Sequence, residues 1–333
     1  MLRDVLFFDF LTDDLMAMPM RVLILGGSGF VGRAVAGQLV KQGHFVTVPT
    51  RDRERAKALL LLPSCEVSAA NIWDEAVLDR EIAQHDVVIN FVGILTGNFE
   101  QVHVTLPRLV AERCAQHGKR LLHMSALCAD ANGGSEYLRS RGRGEDAVHA
   151  VARQSKLAAT MFRPSVIFGE GDNFINMLAR LVRLFPIIPL GSAEARFQPV
   201  WVEDVARAIV TAMQRPETIG QTYELVGPQV YTLRELLEWV MRTIDCKRPV
   251  VPLPEALALM QAMAFEFPPG KWLGALLGVQ MTRDNVASMR TPNVSLAPFP
   301  PLFGDAHRLD DVVPTYLAAR FGRAQYNQFR GTR

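Results

Sequence analysis

Residues 22–32 read VLILGGSGFVG, and this stretch decides the fold. Four apolar residues, Val22 to Leu25, run into glycines at 26, 29 and 32. An apolar helical spacing follows at Val31, Val35, Leu39 and Val40. The pattern reads as a buried strand, a tight turn and a helix N-terminus. Such a turn suits a pyrophosphate. Gly26 takes a turn conformation that a side chain would forbid, Gly29 lets phosphates approach the backbone, and Gly32 lets helix and strand pack closely. The free N–H groups and the positive end of the helix dipole favour the anion. Two competing motifs fail. A P-loop needs Lys and then Ser or Thr after its last glycine, whereas the chain has Arg33 and Ala34. A nucleophile elbow on Ser28 needs glycine at position 30, which is Phe30.

The chain has 333 residues, 49% of them hydrophobic, which is room for one large domain or two joined ones with a sizeable core. A formal charge of +2 calls for no nucleic-acid partner. The basic stretch Arg320 to Arg333 reads as a solvated tail. Cys65, Cys114, Cys128 and Cys246 show neither CxxC spacing nor a disulfide framework, so a reducing, cytoplasmic compartment and no metal are expected. No apolar run reaches the roughly 18 residues of a membrane span. Residues 1–19 carry Asp4, Asp9, Asp13 and Asp14 around VLFFDFL, unlike the basic start of a signal peptide. They are expected to form a loose extension, with the first strand starting at Arg21.

Strand and helix signals alternate from residue 21 to about 169, the pattern of a doubly wound, Rossmann-type parallel sheet with helices on both faces. Strands are predicted at 22–25, 45–48, 65–69, 86–92, 120–125 and 158–164, and helices at about 30–42, 52–61, 74–84, 105–117 and 135–154. Thr105, two residues before Pro107, reads as an N-cap. Beyond Gly169, residues 172–183 read as helix, LFPIIPLG as an irregular apolar segment, 197–213 as a short strand and helix, and 222–227 as a strand. Thr232 and Glu235 read as a capping box opening helix 233–244. The prolines of 249–301 imply short helices and loops. The expected organisation is a dinucleotide-binding unit over 20–169, completed by 197–228, with a smaller, interleaved C-terminal lid region over 170–196 and 229–333.

The second strand ends in VPTRDRER, residues 48–55. An NAD site places a carboxylate there for the ribose 2′-hydroxyl, whereas an NADP site offers Arg for the 2′-phosphate. Arg51 is the expected main contact, because its planar fork donates two parallel hydrogen bonds to a phosphate. NADP(H) is therefore expected. Asp52 leaves NAD(H) open, since it can take a ribose hydroxyl.

After the fifth strand come Ser125, Tyr137 and Arg141, the last two one helical turn apart. This arrangement resembles the short-chain dehydrogenase/reductase superfamily, whose Tyr-x-x-x-Lys pair works with a Ser or Thr. The resemblance implies that Tyr137 and Ser125 handle the proton accompanying hydride transfer. The lysine position carries Arg141, which keeps a positive charge but cannot relay a proton or mimic the compact ammonium. The competing reading is an exposed Arg141–Glu145 pair. VINFVGIL (88–95), HMSAL (123–127), FRPSVIFGEGDNF (162–174), FQPVWVEDVA (197–206) and YELVGPQVYTLREL (223–236) extend the likeness over about residues 20–245. Together they resemble the atypical, epimerase/dehydratase-like branch that contains accessory subunit nine of the alpha subcomplex of respiratory complex I.

That resemblance implies that Gly26, Ser28, Gly29, Phe30, Val31 and Gly32 surround the pyrophosphate and that Asn71 lies by the adenine. It places Val92 and Gly93 beside the nicotinamide, with Pro164, Ser165 and Val166 closing over it. Asp204 reads as a structural acid. Two functions follow. In one, a largely structural or redox-reporting NADP(H) serves respiratory or quinone metabolism, with respiratory-complex association and a position peripheral to the inner membrane. In the other, Tyr137 and Ser125 catalyse an oxidoreductase or epimerase reaction on a sugar nucleotide, a quinone or a hydrophobic carbonyl. The apolar, methionine-rich residues 254–265 favour a greasy substrate or a membrane surface over sugars.

Overall fold

The computed structural model describes residues 18–254 and 282–317, together with Leu257, Leu259, Met260, Met263 and Glu266. All but the last two residues of the expected N-terminal extension, most of 254–265 and the basic stretch from Arg320 lie outside the described residues. The first six strands are β1 (Arg21–Leu25), β2 (Phe45–Pro49), β3 (Cys65–Ser68), β4 (Val87–Asn90), β5 (Arg120–Met124) and β6 (Ala159–Pro164). Short strands β7 (Ile167–Phe168), β8 (Ile188–Leu190), β9 (Arg196–Phe197) and β10 (Val200–Trp201) precede β11 (Thr222–Leu225), and β12 (Tyr231–Thr232) and β13 (Val250–Pro252) follow it. The central sheet has seven strands in the order β11-β6-β5-β4-β1-β2-β3, every neighbouring pair parallel.

The alternation within β1 explains its unbroken apolar run. Val22 and Ile24 face the cluster containing Val35, Ala36 and Leu39 of α1 (Phe30–Lys41) and Val205 and Ile209 of α6 (Val202–Gln214). Leu23 and Leu25 face the other layer, with Leu78 and Ile82 of α2 (Glu75–Ala83), Val110 and Cys114 of α3 (Leu106–Gln116) and Val148 of α4 (Glu136–Ser155). A strand buried on both faces has no polar side to show. The order reverses between β1 and β4, and crevices at such switch points, outside the carboxyl ends of strands, are where α/β sheets bind ligands.

A third cluster joins α5 (Ile175–Leu184), α7 (Leu233–Thr243) and α9 (Leu309–Leu317), through residues such as Leu178, Leu237 and Val313. The capping box of Thr232 and Glu235 is present. Helix α8 (Arg283–Ser288) docks on the start of α4, where Asp284 accepts the N–H groups of Glu136 and Tyr137 at 2.7 and 3.0 Å.

Several local expectations are corrected. Thr105 is no N-cap: its backbone is helical, because a π-helical segment, Glu100–Thr105, runs directly into α3. Residues Glu54–Leu61 form a 3-10 helix, a tight form suited to a short connector. The segment read as irregular contains β8, which pairs in parallel with β13.

Candidate functional site

The glycine turn has the geometry its sequence demands. Gly26 has φ +78°, and a Cβ there would stand 3.1 Å from the Phe91 carbonyl carbon and the Val92 nitrogen. The end of β1 therefore lies directly against the end of β4. A Cβ on Gly32 would meet Gly27 Cα at 2.5 Å and the Gly26 oxygen at 2.7 Å, so α1 rests on the turn backbone. Gly27 was not singled out from the sequence, yet a Cβ there would strike the Val48 methyls at 2.7 and 2.9 Å. Gly29 is exposed and is the N-cap of α1, with no side-chain cap and no acid in the first turn. The positive end of α1 is left for an anion. Ser28 gives its carbonyl to Arg33 Nη1 at 3.3 Å. A Cβ on Gly169 would lie 3.2 Å from the Phe30 ring, and Val31 packs on the core beneath the turn.

At the end of β2, Asp52 is engaged locally. Its carboxylate accepts the Glu54 N–H at 3.0 Å and pairs with Arg55 at 3.3 Å. Arg51 is exposed and makes no ion pair among the described residues. Asn71 is exposed beyond β3, with its side-chain carbonyl accepting the Trp73 N–H at 3.2 Å.

The ends of β4 and β5 bring Gly93, Tyr137 and Arg141 together. The Arg141 guanidinium carbon lies 5.5 Å from the Tyr137 ring centroid, a cation–π arrangement. Arg141 Nη1 donates to the Met124 carbonyl at 3.3 Å, and its Nη2 fills the space that a Cβ on Gly93 would need. A Cβ at 93 would displace the guanidinium from this position. Ser125 is buried, and its Oγ has no partner of hydrogen-bonding geometry, although it lies near enough to Glu145 to favour that carboxylate's ionised form. Asn90, fully buried at the tip of β4, accepts the Val92 N–H at 3.0 Å and leaves its Nδ2 without a partner.

His103 was missed because the π-helical segment, not a regular helix, carries it inward. Its Nε2 accepts the Ile94 N–H at 3.1 Å, which assigns the ring proton to Nδ1, 2.9 Å from Ser140 Oγ. The ring stacks on Phe99 and meets Tyr137 edge-on, with centroids 5.3 and 5.7 Å apart. Burial, helped by the Arg141 and His123 charges, pushes the His103 pKa down to about 3. His123, on β5, is likewise lowered to about 3, by burial and then by Arg141.

The exposed Arg141–Glu145 pair does not form. Glu145 is only 2% exposed and turns to Arg163 on β6, whose Nε stands 3.1 and 3.0 Å from its two oxygens. Burial opposes ionisation of Glu145, but hydrogen bonds from His149 and Arg163 outweigh it and hold the pKa at about 2. Residues four apart on a helix are free to meet, but here a neighbouring strand offers a better partner.

Pro164 is buried at the end of β6. Ser165 donates to Asn293 Oδ1 at 2.5 Å, and the same oxygen accepts the Val166 N–H at 3.1 Å. Asp204 is fully buried and binds Arg207 and His307 Nδ1, both at 2.8 Å, tying the chain before α9 to α6. Among the described residues no group of His, Cys, Asp and Glu side chains is arranged to hold a metal.

Fold, glycine turn and switch-point crevice define a dinucleotide-binding α/β protein. The chain matches the NAD dependent epimerase/dehydratase family over residues 22–225 and belongs to that family. It is 31% identical over 295 residues to mitochondrial NADH dehydrogenase (ubiquinone) 1 alpha subcomplex subunit 9 of Mus musculus, covering 84% of this chain and 74% of that one. It is 27% identical over 238 residues to a ceramide reductase of Caulobacter vibrioides, covering 70% and 74% of the two chains. The fold is shared with UDP-glucuronic acid 4-epimerase of Bacillus cereus, solved with UDP-glucuronic acid and NAD, at a TM-score of 0.64 and 14% identity over 90% of this chain and all of that one.

Proposed function

We propose that this protein holds NADP(H) in the crevice between the ends of β1 and β4, as a structural or redox-reporting cofactor in respiratory-chain or quinone metabolism. The residues fit the group. The uncapped start of α1 and the exposed Gly29 receive the pyrophosphate, with Ser28, Phe30 and Val31 around it. Arg51 takes the 2′-phosphate, because Asp52 is already spent on its own turn and on Arg55. The unpartnered Asn90 Nδ2 and Ser125 Oγ offer polar contacts towards the nicotinamide end, alongside Val92, Gly93, Pro164 and Val166. When bound, the nicotinamide supplies a hydride donor or acceptor.

The position of Arg141 carries the reading. Its guanidinium is committed to the Tyr137 ring, the Met124 carbonyl and the Gly93 backbone. A group that never deprotonates cannot pass a proton onward. Association with a respiratory complex is supported by the relative named as a subunit of NADH dehydrogenase.

A second reading is favoured by the buried Ser125 hydroxyl, which makes no hydrogen bond of good geometry, and by the relative named as a ceramide reductase. Here Ser125 would hold the carbonyl oxygen of a hydrophobic substrate and Tyr137 would donate the proton, with bound NAD(P)H supplying the hydride. Titration calorimetry with NADPH and NADH, followed by nicotinamide absorbance with quinones, sugar nucleotides and long-chain carbonyls, separates the two. Tight NADPH that does not turn over is expected. Turnover abolished by Tyr137→Phe refutes the structural-cofactor reading, and equal or tighter NADH binding refutes the assignment of Arg51.

A further inference from the structure

The ribbon of β8 and β13 presents an apolar outer face that no described element covers. Ile188 and Leu190 point inward to the cluster shared with α5 and α7, whereas Pro189 and its opposite number Val251 point outward. Alternation puts Ile187 on the same outer face as Pro189. Leu184, Ile187 and Val251 are 56%, 53% and 47% exposed, a large fraction for aliphatic side chains. The chain leaves β13 into a stretch where Leu257, Met260 and Met263 are also exposed, at helical spacing.

The two chain segments that form this face carry cations and no acid. No Asp or Glu occurs between Asp172 and Glu194, nor between Asp245 and Glu255. Those two segments carry Arg180, Arg183, Lys247 and Arg248. Arg180 lies one turn before Leu184 on the exposed side of α5, and Arg248 is held at the end of that helix by its bond to the Val182 carbonyl at 3.0 Å. Aliphatic side chains on segments that carry cations and no acid match an anionic bilayer surface, where apolar groups enter the acyl boundary and cations meet lipid phosphates.

We propose that the β8–β13 face, with the exposed edge of α5, docks this protein onto an anionic phospholipid membrane. No helix of the described residues is long and apolar enough to cross a bilayer, so the attachment lies in the surface plane. The face is distinct from the glycine turn, so its test stands apart from that of cofactor binding.

The full chain is floated with vesicles of phosphatidylcholine containing about a third phosphatidylglycerol, and with phosphatidylcholine alone. Flotation with the anionic vesicles only, weakened by high salt, is expected. Arg180→Gln with Lys247→Gln lowers the partition coefficient about twenty-five-fold, at about five-fold per cation. Ile187→Glu with Val251→Glu abolishes flotation. Both variants keep the thermal unfolding and NADPH affinity of the parent, which separates lost docking from lost folding. No flotation of the parent, flotation unchanged in both variants, or a dimer in solution that Ile187→Glu dissociates each overturns the proposal, the last by giving the face to a second copy of this chain.

Discussion

Lowering the pH from 7 to 5 probes the histidines beneath the Tyr137–Arg141 cluster. His103 and His123 are 1% and 2% exposed, and both pKa values sit at about 3 against an ordinary value of 6.5. A histidine whose folded pKa lies below its unfolded one stabilises the native state fully above 6.5, and that contribution is lost as pH falls towards the folded value. Between these limits the unfolded chain binds one more proton per histidine, and stability falls by about 1.4 kcal/mol per pH unit for each. From pH 7 to 5 each loses about 2 kcal/mol, and the pair about 4 kcal/mol, a large share of a typical 5–15 kcal/mol. His44, lowered by burial, adds in the same direction. Urea unfolding followed by the fluorescence of the four tryptophans measures the change. The variant His103→Gln with His123→Gln is expected to show a pH dependence shallower by about 4 kcal/mol over the same interval. Equal pH dependence in parent and variant refutes the placement of two neutral imidazoles in the site.

Glu145→Gln removes the carboxylate that Arg163 clasps and is expected to lose about 3 kcal/mol at pH 7, the low end for a broken buried pair because Arg163 is partly exposed. The depressed pKa of Glu145 means that its contribution is complete above pH 4.5 and disappears as pH falls towards about 2, so parent and variant converge in acid unfolding curves. Gly32→Ala forces a Cβ onto the Gly26–Gly27 backbone, and an overpacking loss of about 2 kcal/mol with weakened NADPH binding is expected by thermal shift and calorimetry. Gly144→Ala puts its Cβ on the His103 carbonyl oxygen, and a stability loss of about 3 kcal/mol is expected despite the gain in helix propensity. Arg51→Ala is expected to weaken NADPH at least about ten-fold and leave NADH unchanged.

Much of the scaffold was legible because its signals are local. The strand, turn and helix around Gly26 and the capping box at Thr232 each involve residues a few positions apart. The site was less legible. His103 faces inward because the segment from Glu100 winds as a π-helix. Gly142 and Gly144, unfavourable inside an isolated helix, are explained only by the backbones of Asp130 and His103 crowding α4. Asp284 caps a helix nearly 150 positions earlier in the chain, at a separation of 148 residues from Glu136.

By itself the sequence determined the doubly wound sheet, the glycine turn at the start of α1 and the presence of Arg141 where the superfamily has lysine, because hydrophobic period, glycine spacing and residue identity need no partner. The tertiary structure alone decided where the charges point. Glu145 had Arg141 within helical reach but is clasped by Arg163 from β6, and Arg141 is left to the Tyr137 ring and the Met124 carbonyl. A charged side chain settles where packing removes most water and offers the best-aligned opposite charge, and both conditions are set by elements far apart in the chain.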